Sequence, residues 1–404
     1  MRVLHVIPSL DKRDGGPSIA LPLMARSLIR QGVSVDIVAT LDPAEASERN
    51  ITFGEPLDLG GFTVRYFKRQ THFYKASMPM LRWLSDNVGN YDVVHNHAVF
   101  SFAPLAGAFC ARRARVPYII RPLGLLNHWG LENRRKVLKK LSLRLFDLPA
   151  LRHAAAIHFT SDREQSEAAA LALATKSVVI PIGIDAEPFE TLPGPQRFLE
   201  KFPAAAGKRI LLFMSRIDPK KGIELLLQAF ARTCAKTSDI MLVVVGSGTE
   251  TYEASLKHLA AELNLGNRVL WTGFLDGEDK LSVLSAAEIY FLPSYSENFG
   301  IALVEAMAAG LPCIATSHVA IAEDAAKHGA VIQVPSEVDA IAQATDRLLA
   351  NPSEGQHLAR QAALYTRQHL SLPAMGRALK SLYQELLSEA TTPDKGIATL
   401  PTTS

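Results

Sequence analysis

Short β-branched segments alternate with longer segments of helical periodicity along most of this chain, and this alternation restricts the fold more than any other feature. Such alternation is typical of strand-helix-strand units, in which parallel strands form a sheet and helices cover it. The predicted strands lie at residues 3–7, 33–38, 62–67, 92–95, 118–120, 155–159, 178–180, 210–214, 240–245, 269–271, 289–292, 313–315 and 330–333. The pattern therefore predicts an α/β fold with parallel sheets.

A Pro- and Gly-rich segment, PIGIDAEPFETLPGPQ at 181–196, separates the strands into two series. A chain of 404 residues is long enough for two domains, since a typical domain holds roughly 100 to 200 residues. We predict domains at 1–181 and 182–372, a final helix at about 373–390 that crosses back to the first domain, and a disordered tail at 391–404. Two such domains are expected to enclose a deep cleft, with ligands beyond the carboxyl ends of the strands.

Composition and charge exclude several classes of protein. Hydrophobic residues make up 48% and charged residues 21%, which is typical of a folded globular protein. A net charge of +3 gives no basis for general nucleic-acid binding. The longest mostly apolar run, at 98–110, is interrupted by Pro104 and is shorter than the about 20 residues that span a bilayer. We therefore expect a cytoplasmic protein without a signal peptide, whose three cysteines are buried and reduced.

A glycine pair follows the first predicted strand. The segment PSLDKRDGGPS places Gly15 and Gly16 before a helix whose N-cap is expected at Ser18. Such a loop brings backbone amides close to a phosphate or sugar, although the same pair is equally compatible with an ordinary tight turn. It does not match the GxGxxG fingerprint, which disfavours a nicotinamide dehydrogenase.

Two cations follow the first strand of the second series. The segment SRIDPKKG places Arg216 and Lys221 at the mouth of strand 210–214. Together they can neutralise a diphosphate leaving group, Arg216 through its planar fork and Lys221 as a point charge. Either residue alone would be an ordinary solvated cation, and their joint position favours a phosphate site.

The most informative segment is FLPSYSENFGIALVEAMAAGLPCIAT, in which Glu297 and Glu305 stand eight positions apart. We expect Glu297 in the loop after a strand and Glu305 in the second turn of the following helix. Such carboxylates can accept hydrogen bonds from sugar hydroxyls and from a ribose diol. The intervening Asn298, Phe299 and Gly300 are expected to bind the same ligand, with backbone amides directed at a phosphate.

Together with HNHAVF at 95–100, these motifs resemble those of family 4 of the retaining glycosyltransferases, whose GT-B fold has two facing Rossmann-like domains. The resemblance covers nearly the whole chain. It implies that Arg216 and Lys221 bind the donor phosphates, that Glu297 contacts the donor sugar and that Glu305 contacts the ribose. It also places a histidine near the sugar at His97, whereas His95 is expected to be structural.

Two further turns fit the resemblance. VGSGTE contains Gly246 and Gly248, and in WTGFLD the residues Gly273, Phe274 and Leu275 would approach the nucleobase. Without the resemblance, both segments would be ordinary turns between a strand and a loop.

The implied reaction moves a hexosyl unit from a nucleotide diphosphate sugar to a glycan, lipid-linked or small-molecule acceptor, as in bacterial polysaccharide or glycoconjugate synthesis. In a front-face reaction the leaving diphosphate takes the acceptor proton, while Arg216 and Lys221 stabilise its growing charge. Two alternatives stay open: a sugar-nucleotide epimerase on the same architecture, and a nucleotide-sugar-binding protein without catalysis. Donor turnover measured with and without an acceptor would separate them.

No cofactor is expected, and no metal, because the chain has no Asp-x-Asp pair to hold a cation that bridges the donor phosphates. A candidate membrane contact is the segment LENRRKVLKKLSLRLF at 131–146, which has six Lys and Arg residues and one acidic residue, Glu132. This is the pattern of an amphipathic helix that lies on an anionic bilayer. A surface helix that packs its leucines on the first domain has the same pattern.

Overall fold

The computed structural model describes residues 1–11, 16–72, 74–126 and 141–391. Within these ranges the chain forms two compact units. Unit 1 takes its residues from Met1–Phe159, Ala169–Ile180 and Gly376–Ser404, and unit 2 from Thr160–Ala168 and Pro181–Met375. Gly15, the stretch 131–140 of the predicted amphipathic helix and the predicted disordered tail beyond residue 391 lie outside the described residues.

Unit 1 is built on an eight-stranded sheet in the order β3-β4-β2-β1-β5-β6-β7-β8. All neighbouring strands are parallel except β3 and β4, which are antiparallel. The strands are β1 (Arg2–Ile7), β2 (Ser34–Leu41), β3 (Pro56–Asp58), β4 (Thr63–Lys68), β5 (Val93–His97), β6 (Tyr118–Arg121), β7 (Ala156–Phe159) and β8 (Ser177–Val179). Every residue of β5 and β6 is buried, as expected for central strands of a parallel sheet covered on both faces.

The helices of unit 1 are α1 (Gly16–Ile29), α2 (Pro43–Glu48), α3 (Met78–Asn87), α4 (Phe102–Ala114) and α5 (Leu148–Arg152), together with most of α16 (Leu372–Thr391). Side-chain caps begin two of them, since Asp42 accepts a hydrogen bond from Ala44 N at the start of α2 and Ser77 accepts one from Met80 N at the start of α3. The predicted N-cap Ser18 is wrong, because α1 already begins at Gly16. Proline is tolerated in a first turn, where its missing N–H would have no intrahelical partner.

Unit 2 contains a six-stranded, wholly parallel sheet in the order β11-β10-β9-β12-β13-β14. The strands are β9 (Arg209–Met214), β10 (Ile240–Val245), β11 (Val269–Gly273), β12 (Ala287–Leu292), β13 (Cys313–Thr316) and β14 (Ile332–Val334). The helices are α6 (Asp162–Ala168), α7 (Glu187–Glu190), α8 (Gln196–Lys201), α9 (Ile223–Cys234), α10 (Glu250–Glu262), α11 (Gly277–Ala286), α12 (Ile301–Ala308), α13 (Ala320–Lys327), α14 (Val338–Ala350) and α15 (Pro352–His369).

The core of unit 2 follows from strand periodicity. Leu211 and Phe213 of β9 stand beside Leu242 and Val244 of β10 in the sheet register, so all four side chains point to one face. Each is at most 1% exposed and belongs to one hydrophobic cluster with the apolar side of α9. This packing positions the loops that leave the carboxyl ends of both strands.

The predicted α/β class with two parallel sheets is confirmed. Every predicted strand is present, and the predicted final helix corresponds to α16. The sequence reading missed β3, a three-residue edge strand whose residues are all exposed, because it has no buried face and therefore no hydrophobic pattern. The cleft predicted between the domains stays a prediction.

Two further sequence expectations concern thiols and membranes. Cys110 and Cys313 are buried and Cys234 is half-buried, and all three are free thiols. Among the helices of the described ranges, none is both long enough and apolar enough to cross a bilayer.

Candidate functional site

Loops from several strands meet at the carboxyl edge of the unit 2 sheet. A backbone bridge joins Ile217, after β9, to Gly248, after β10. Another bridge joins Glu297, after β12, to the loop that follows β13. Tyr295 N donates a hydrogen bond of 2.8 Å to Lys220 O, which links the β12 loop to the β9 loop. The predicted site residues of this unit are therefore held on one edge of one sheet.

Three of the predicted glycines, Gly246, Gly273 (φ 74°) and Gly300, have backbone conformations that other residues rarely adopt. Gly246 has a φ of 141°, and a Cβ there would lie 1.9 Å from Ser215 O. Gly300 has a φ of 90° and is the N-cap of α12. Glycine at these positions lets the β10 loop approach the β9 loop and starts α12 directly after the Glu297 loop. The first amides of α12 consequently lie at this edge of the sheet.

Lys221 and Glu297 form an ion pair between Lys221 Nζ and Glu297 Oε2. Their side chains are 11% and 20% exposed, so the pair is largely withdrawn from water. Lys221 lies just before α9, and Glu297 lies in the loop after β12 where the sequence predicted it. In this arrangement the carboxylate holds the ammonium group in place, and a phosphate would compete for the same cation.

Glu305 lies in the second turn of α12, as predicted, and accepts a hydrogen bond of 2.9 Å from Lys280 Nζ. The two side chains are 20% and 26% exposed. Lys280 comes from α11 and was not predicted as a site residue. Its sequence context, GEDKLS, is that of an ordinary exposed helix turn and gives no signal of this partner.

The other predicted residues of unit 2 differ in exposure. Arg216 is exposed directly after β9, and Asn298 is exposed in the loop that carries Glu297. Phe299 and Leu275 are buried at 4% and 5%, so they support the loops from inside. Phe274, which follows Gly273 at the end of β11, is 71% exposed. An exposed aromatic ring can stack on a flat ligand.

His97 lies in unit 1, at the end of β5, with an exposure of 0%. Its Nε2 lies 2.9 Å from Nδ1 of His5 on β1. Contact with a sugar would require this side chain to become accessible, and the role implied for it stays a prediction. Gly16, the other described residue predicted in this half of the chain, is the first residue of α1.

His95 belongs to a directed hydrogen-bond chain in the core of unit 1. His158 Nε2 lies 2.8 Å from the carbonyl of Ile180 and must donate to it, which leaves Nδ1 of a neutral His158 as an acceptor. His95 Nε2, at 3.3 Å, then donates to His158 Nδ1. His95 Nδ1 in turn accepts from the Tyr383 hydroxyl of α16 at 2.9 Å. The network thus places the proton on Nε2 in both His158 and His95. It also agrees with the structural role that the sequence predicted for His95.

Burial is the main cause that lowers the pKa values of His5, His95, His97 and His158. The positive charge of the Arg121 guanidinium lowers each of these pKa values further. The pKa falls to about 3 for both His5 and His158. These side chains are therefore neutral in the folded protein at pH 7, which agrees with the tautomers assigned from the network.

One nitrogen each of His5, His95 and His97 lies within 4.8 Å of the others, so this group is a candidate for holding a metal ion. Its chemistry argues against that use. Both nitrogens of His95 are already hydrogen-bonded, and the nearby positive charge of Arg121 repels a cation. The donor set fits a hydrogen-bonded core better than a metal centre.

The sequence reading missed His5, His158 and Tyr383 as members of this cluster. The signals were present but weak, since His5 and His158 each stand in a short apolar strand segment and His97 follows His95 at strand spacing. Residues two apart on a strand share a face. Which strands become neighbours, and which face α16 covers, depends on the topology and could not be predicted from these segments.

Sequence models of known families match a part of each unit. The sequence model described as "Glycosyl transferases group 1" matches residues 196–365, and the one described as "Glycosyl transferase 4-like domain" matches residues 15–183. The chain is 27% identical over 366 residues to 2-deoxystreptamine N-acetyl-D-glucosaminyltransferase of Niallia circulans, covering 85% of this chain and 91% of that protein.

Two further comparisons extend this likeness. The chain is 27% identical to phosphatidyl-myo-inositol mannosyltransferase of Mycolicibacterium smegmatis, covering 78% of this chain and 76% of that protein. The crystal structure of Anabaena HepE in complex with UDP has the same fold, with a TM-score of 0.75 at 19% identity, covering 95% of this chain and 100% of that one.

Proposed function

Because this chain belongs to family 4 of the glycosyltransferases, we propose that it transfers a hexosyl unit from a nucleoside diphosphate sugar, bound at the carboxyl edge of the unit 2 sheet, to an acceptor hydroxyl with retention of anomeric configuration. The acceptor is a glycan, a lipid-linked molecule or a small molecule, as in the synthesis of bacterial polysaccharides or glycoconjugates.

The observation that carries this proposal is the presence of two lysine-carboxylate pairs at one sheet edge. Lys221 pairs with Glu297, and Lys280 pairs with Glu305, next to the amino end of α12. Cations and helix amides attract a diphosphate, whereas carboxylates accept hydrogen bonds from sugar and ribose hydroxyls. A nucleoside diphosphate sugar contains both kinds of group.

The pairs also suggest how the donor is received. The diphosphate displaces Glu297 from Lys221, and the released carboxylate becomes available to the hydroxyls of the sugar. Lys221, Arg216 and the first amides of α12 then stabilise the negative charge that develops on the leaving diphosphate. That diphosphate takes the proton of the attacking acceptor hydroxyl, so no enzymic base is needed.

A ligand screen tests the proposal directly. A ligand that binds only the folded state raises the melting temperature by mass action. We expect stabilisation by one of UDP, GDP or ADP, further stabilisation by one of its sugar conjugates, and release of the nucleotide when an acceptor is added. Stabilisation by none of these nucleotides or their sugars would contradict the proposed donor site.

We also propose a peripheral contact between unit 1 and an anionic bilayer through residues 131–146. The described part of this segment has Leu141, Leu145 and Phe146 at 53%, 54% and 55% exposure, and Phe109 of α4 is 62% exposed. Leu145, Phe146 and Phe109 line one mostly apolar groove of about 360 Å³, with Arg112 also in its wall. Exposed apolar side chains flanked by cations suit the headgroup boundary of an anionic membrane.

Vesicle sedimentation tests this contact. We expect the protein to pellet with anionic vesicles at low salt and to be released at high salt, because the cations contribute about 1 kcal/mol each near an anionic surface. Replacing Arg135, Lys136, Lys139 and Lys140 with Ser, or Leu145 and Phe146 with Ser, should abolish pelleting. Leu364→Ser, at a comparably exposed leucine of unit 2, is the matched control and should change nothing. Equal recovery with neutral and anionic vesicles would leave residues 131–146 a surface segment.

A further inference from the structure

A second pocket, of about 610 Å³, lies within unit 1 at the carboxyl ends of β1, β5 and β6. Its described wall combines apolar groups such as Ile7 and Val99 with hydroxyls such as Ser9 and Ser18. The Ser18 hydroxyl is buried and has no hydrogen-bond partner among the described groups. An apolar wall with a few hydroxyls suits a polyol ring, which has apolar faces and a hydroxylated rim.

The backbone around this pocket is unusual. Nine non-glycine residues of the described chain have a φ between 46° and 78°, and five of these nine line the pocket. The five are Tyr74 (67°), Lys75 (49°), Ala98 (78°), Phe100 (57°) and Leu123 (61°). A left-handed conformation costs a non-glycine residue roughly 1 to 2 kcal/mol, so surrounding contacts must hold it.

A buried carboxylate supplies such contacts to two of the five residues, Phe100 and Tyr74. Asp147 is 1% exposed, and its Oδ1 accepts a hydrogen bond of 2.9 Å from Phe100 N. Its Oδ2 accepts one of 2.7 Å from the Ser142 hydroxyl. Because that hydroxyl has only one hydrogen, the Tyr74 hydroxyl must be the donor in its 2.6 Å contact with Ser142 Oγ.

The segments that contain Tyr74 and Phe100 are also joined by a backbone hydrogen bond. Tyr74 O accepts a hydrogen bond of 2.9 Å from Phe102 N, two residues beyond Phe100. The Ser101 hydroxyl donates a longer hydrogen bond, of 3.4 Å, to the same Tyr74 O. The loop that contains Tyr74 and the loop that contains Phe100 are therefore joined both by these bonds to Tyr74 O and by the side chains of Ser142 and Asp147. Asp147 itself does not line the pocket.

We propose that Asp147 is a positioning residue for the acceptor, which fixes the left-handed Tyr74 and Phe100 walls of this pocket so that a polyol ring can bind there. This inference rests on the proposed transferase function. The carboxylate is suited to the task because it accepts from a backbone amide and from a hydroxyl at once. Removing either acceptor should therefore make one wall less firmly held.

The test compares acceptor-like probes with a nucleotide. The probes are 2-deoxystreptamine and myo-inositol 1-phosphate, the acceptor named for the Niallia relative and the headgroup chemistry named for the Mycolicibacterium relative. We expect at least one of them to bind the wild type in a calorimetric titration. Asp147→Asn should weaken that binding about tenfold, which corresponds to one lost hydrogen bond to a charged group, and Tyr74→Phe, which removes a hydrogen bond between neutral groups, should weaken it by up to about tenfold. UDP or GDP affinity should stay unchanged.

The combined effect of the two substitutions distinguishes a positioning role of Asp147 from a general loss of stability. Tyr74→Phe should have little further effect in the Asp147→Asn background, because both substitutions cut the same chain of hydrogen bonds. The amide of Phe100 should exchange with solvent faster in Asp147→Asn. Glu164→Gln is the matched control, since this buried carboxylate of unit 2 also accepts from a backbone amide and a hydroxyl, both of Thr160. It should leave probe affinity unchanged.

Several outcomes would overturn the inference. If neither probe binds the wild type, the pocket is not a polyol site. Unchanged probe affinity in Asp147→Asn, or an equal loss in Glu164→Gln, would make Asp147 a structural residue only. Failure of the wild type to bind any nucleotide while a probe still binds would instead contradict the proposed donor site, and the two failures are therefore distinguishable.

Discussion

Lys221 and Glu305 are the residues whose replacement we expect to weaken donor binding most directly. Each is largely withdrawn from water at the carboxyl edge of the unit 2 sheet, and a charge-assisted hydrogen bond there contributes roughly 1.5 to 3 kcal/mol. Lys221→Ala and Glu305→Ala should therefore raise the nucleotide dissociation constant at least about tenfold. Glu297→Ala should lower turnover more than it changes the melting temperature.

The control for these variants is another ion pair of the same unit. Lys236 pairs with Asp346, but the Lys236 side chain is 67% exposed, so the contact is screened by water. Lys236→Ala should leave both nucleotide affinity and turnover as in the wild type. Wild-type affinity and turnover in all three site variants would show that the assignment of the donor site is wrong.

At the scale of single residues, the sequence identified both members of the Lys221–Glu297 pair but only one member, Glu305, of the other pair. Glu297 and Glu305 stand out because of their motif, and Lys221 because of its position after a strand. Lys280 has no such signal, since its partner is 25 residues away on another helix and only the tertiary structure brings the two side chains together.

Among the elements, strands β1, β5 and β7 place His5, His95, His97 and His158 in one buried cluster with Arg121 and Tyr383. In the unfolded chain these histidines titrate near pH 6.5, whereas the folded pKa of His5 and of His158 is about 3. Above pH 6.5 the histidines are neutral in both the folded and the unfolded protein, so they do not make the stability depend on pH. Below it the unfolded state gains protons that the folded state does not, so the stability of unit 1 falls as the pH falls towards 3.

We expect His5 and His158 each to lower the stability of unit 1 by about 1.4 kcal/mol between pH 7.5 and 5.5. Hydrogen exchange of the β1 and β5 amides measures this for unit 1 alone. The slope of unit 1 stability against pH gives the number of protons taken up on unfolding, and His158→Gln should reduce that number by about one at the acidic end of this range. His258→Gln, at a histidine of α10 whose side chain is 76% exposed, is the control and should leave the slope unchanged. A stability of unit 1 that is constant over this range would contradict the buried neutral state.

On the scale of the whole molecule, we expect transfer activity to be independent of divalent metal. The chain has no Asp-x-Asp pair for a cation that bridges the donor phosphates, and Arg216 and Lys221 supply positive charge at the proposed site instead. Turnover should be the same with EDTA as with added magnesium or manganese. Loss of activity in EDTA that either metal restores would contradict this.

The whole-molecule pattern was also the part of the fold that the sequence predicted best. Two series of apolar strands separated by helices predict two parallel sheets, because strands buried on both faces have short, continuous runs of apolar and β-branched residues. The exposed strand β3 and the start of α1 were missed or misplaced, since neither is fixed by burial.

The sequence by itself determined the α/β class and the order of the strands along the chain, because strand periodicity is a local property. It also predicted candidate site residues in unit 2, because ligands of parallel sheets bind beyond the carboxyl ends of the strands. Only the tertiary structure decided that Lys280 pairs with Glu305, that four histidines share one core, and that Asp147 holds Phe100 and Tyr74. These contacts join residues far apart in the chain, and their geometry depends on which elements pack side by side. A single sequence contains no measure of that packing.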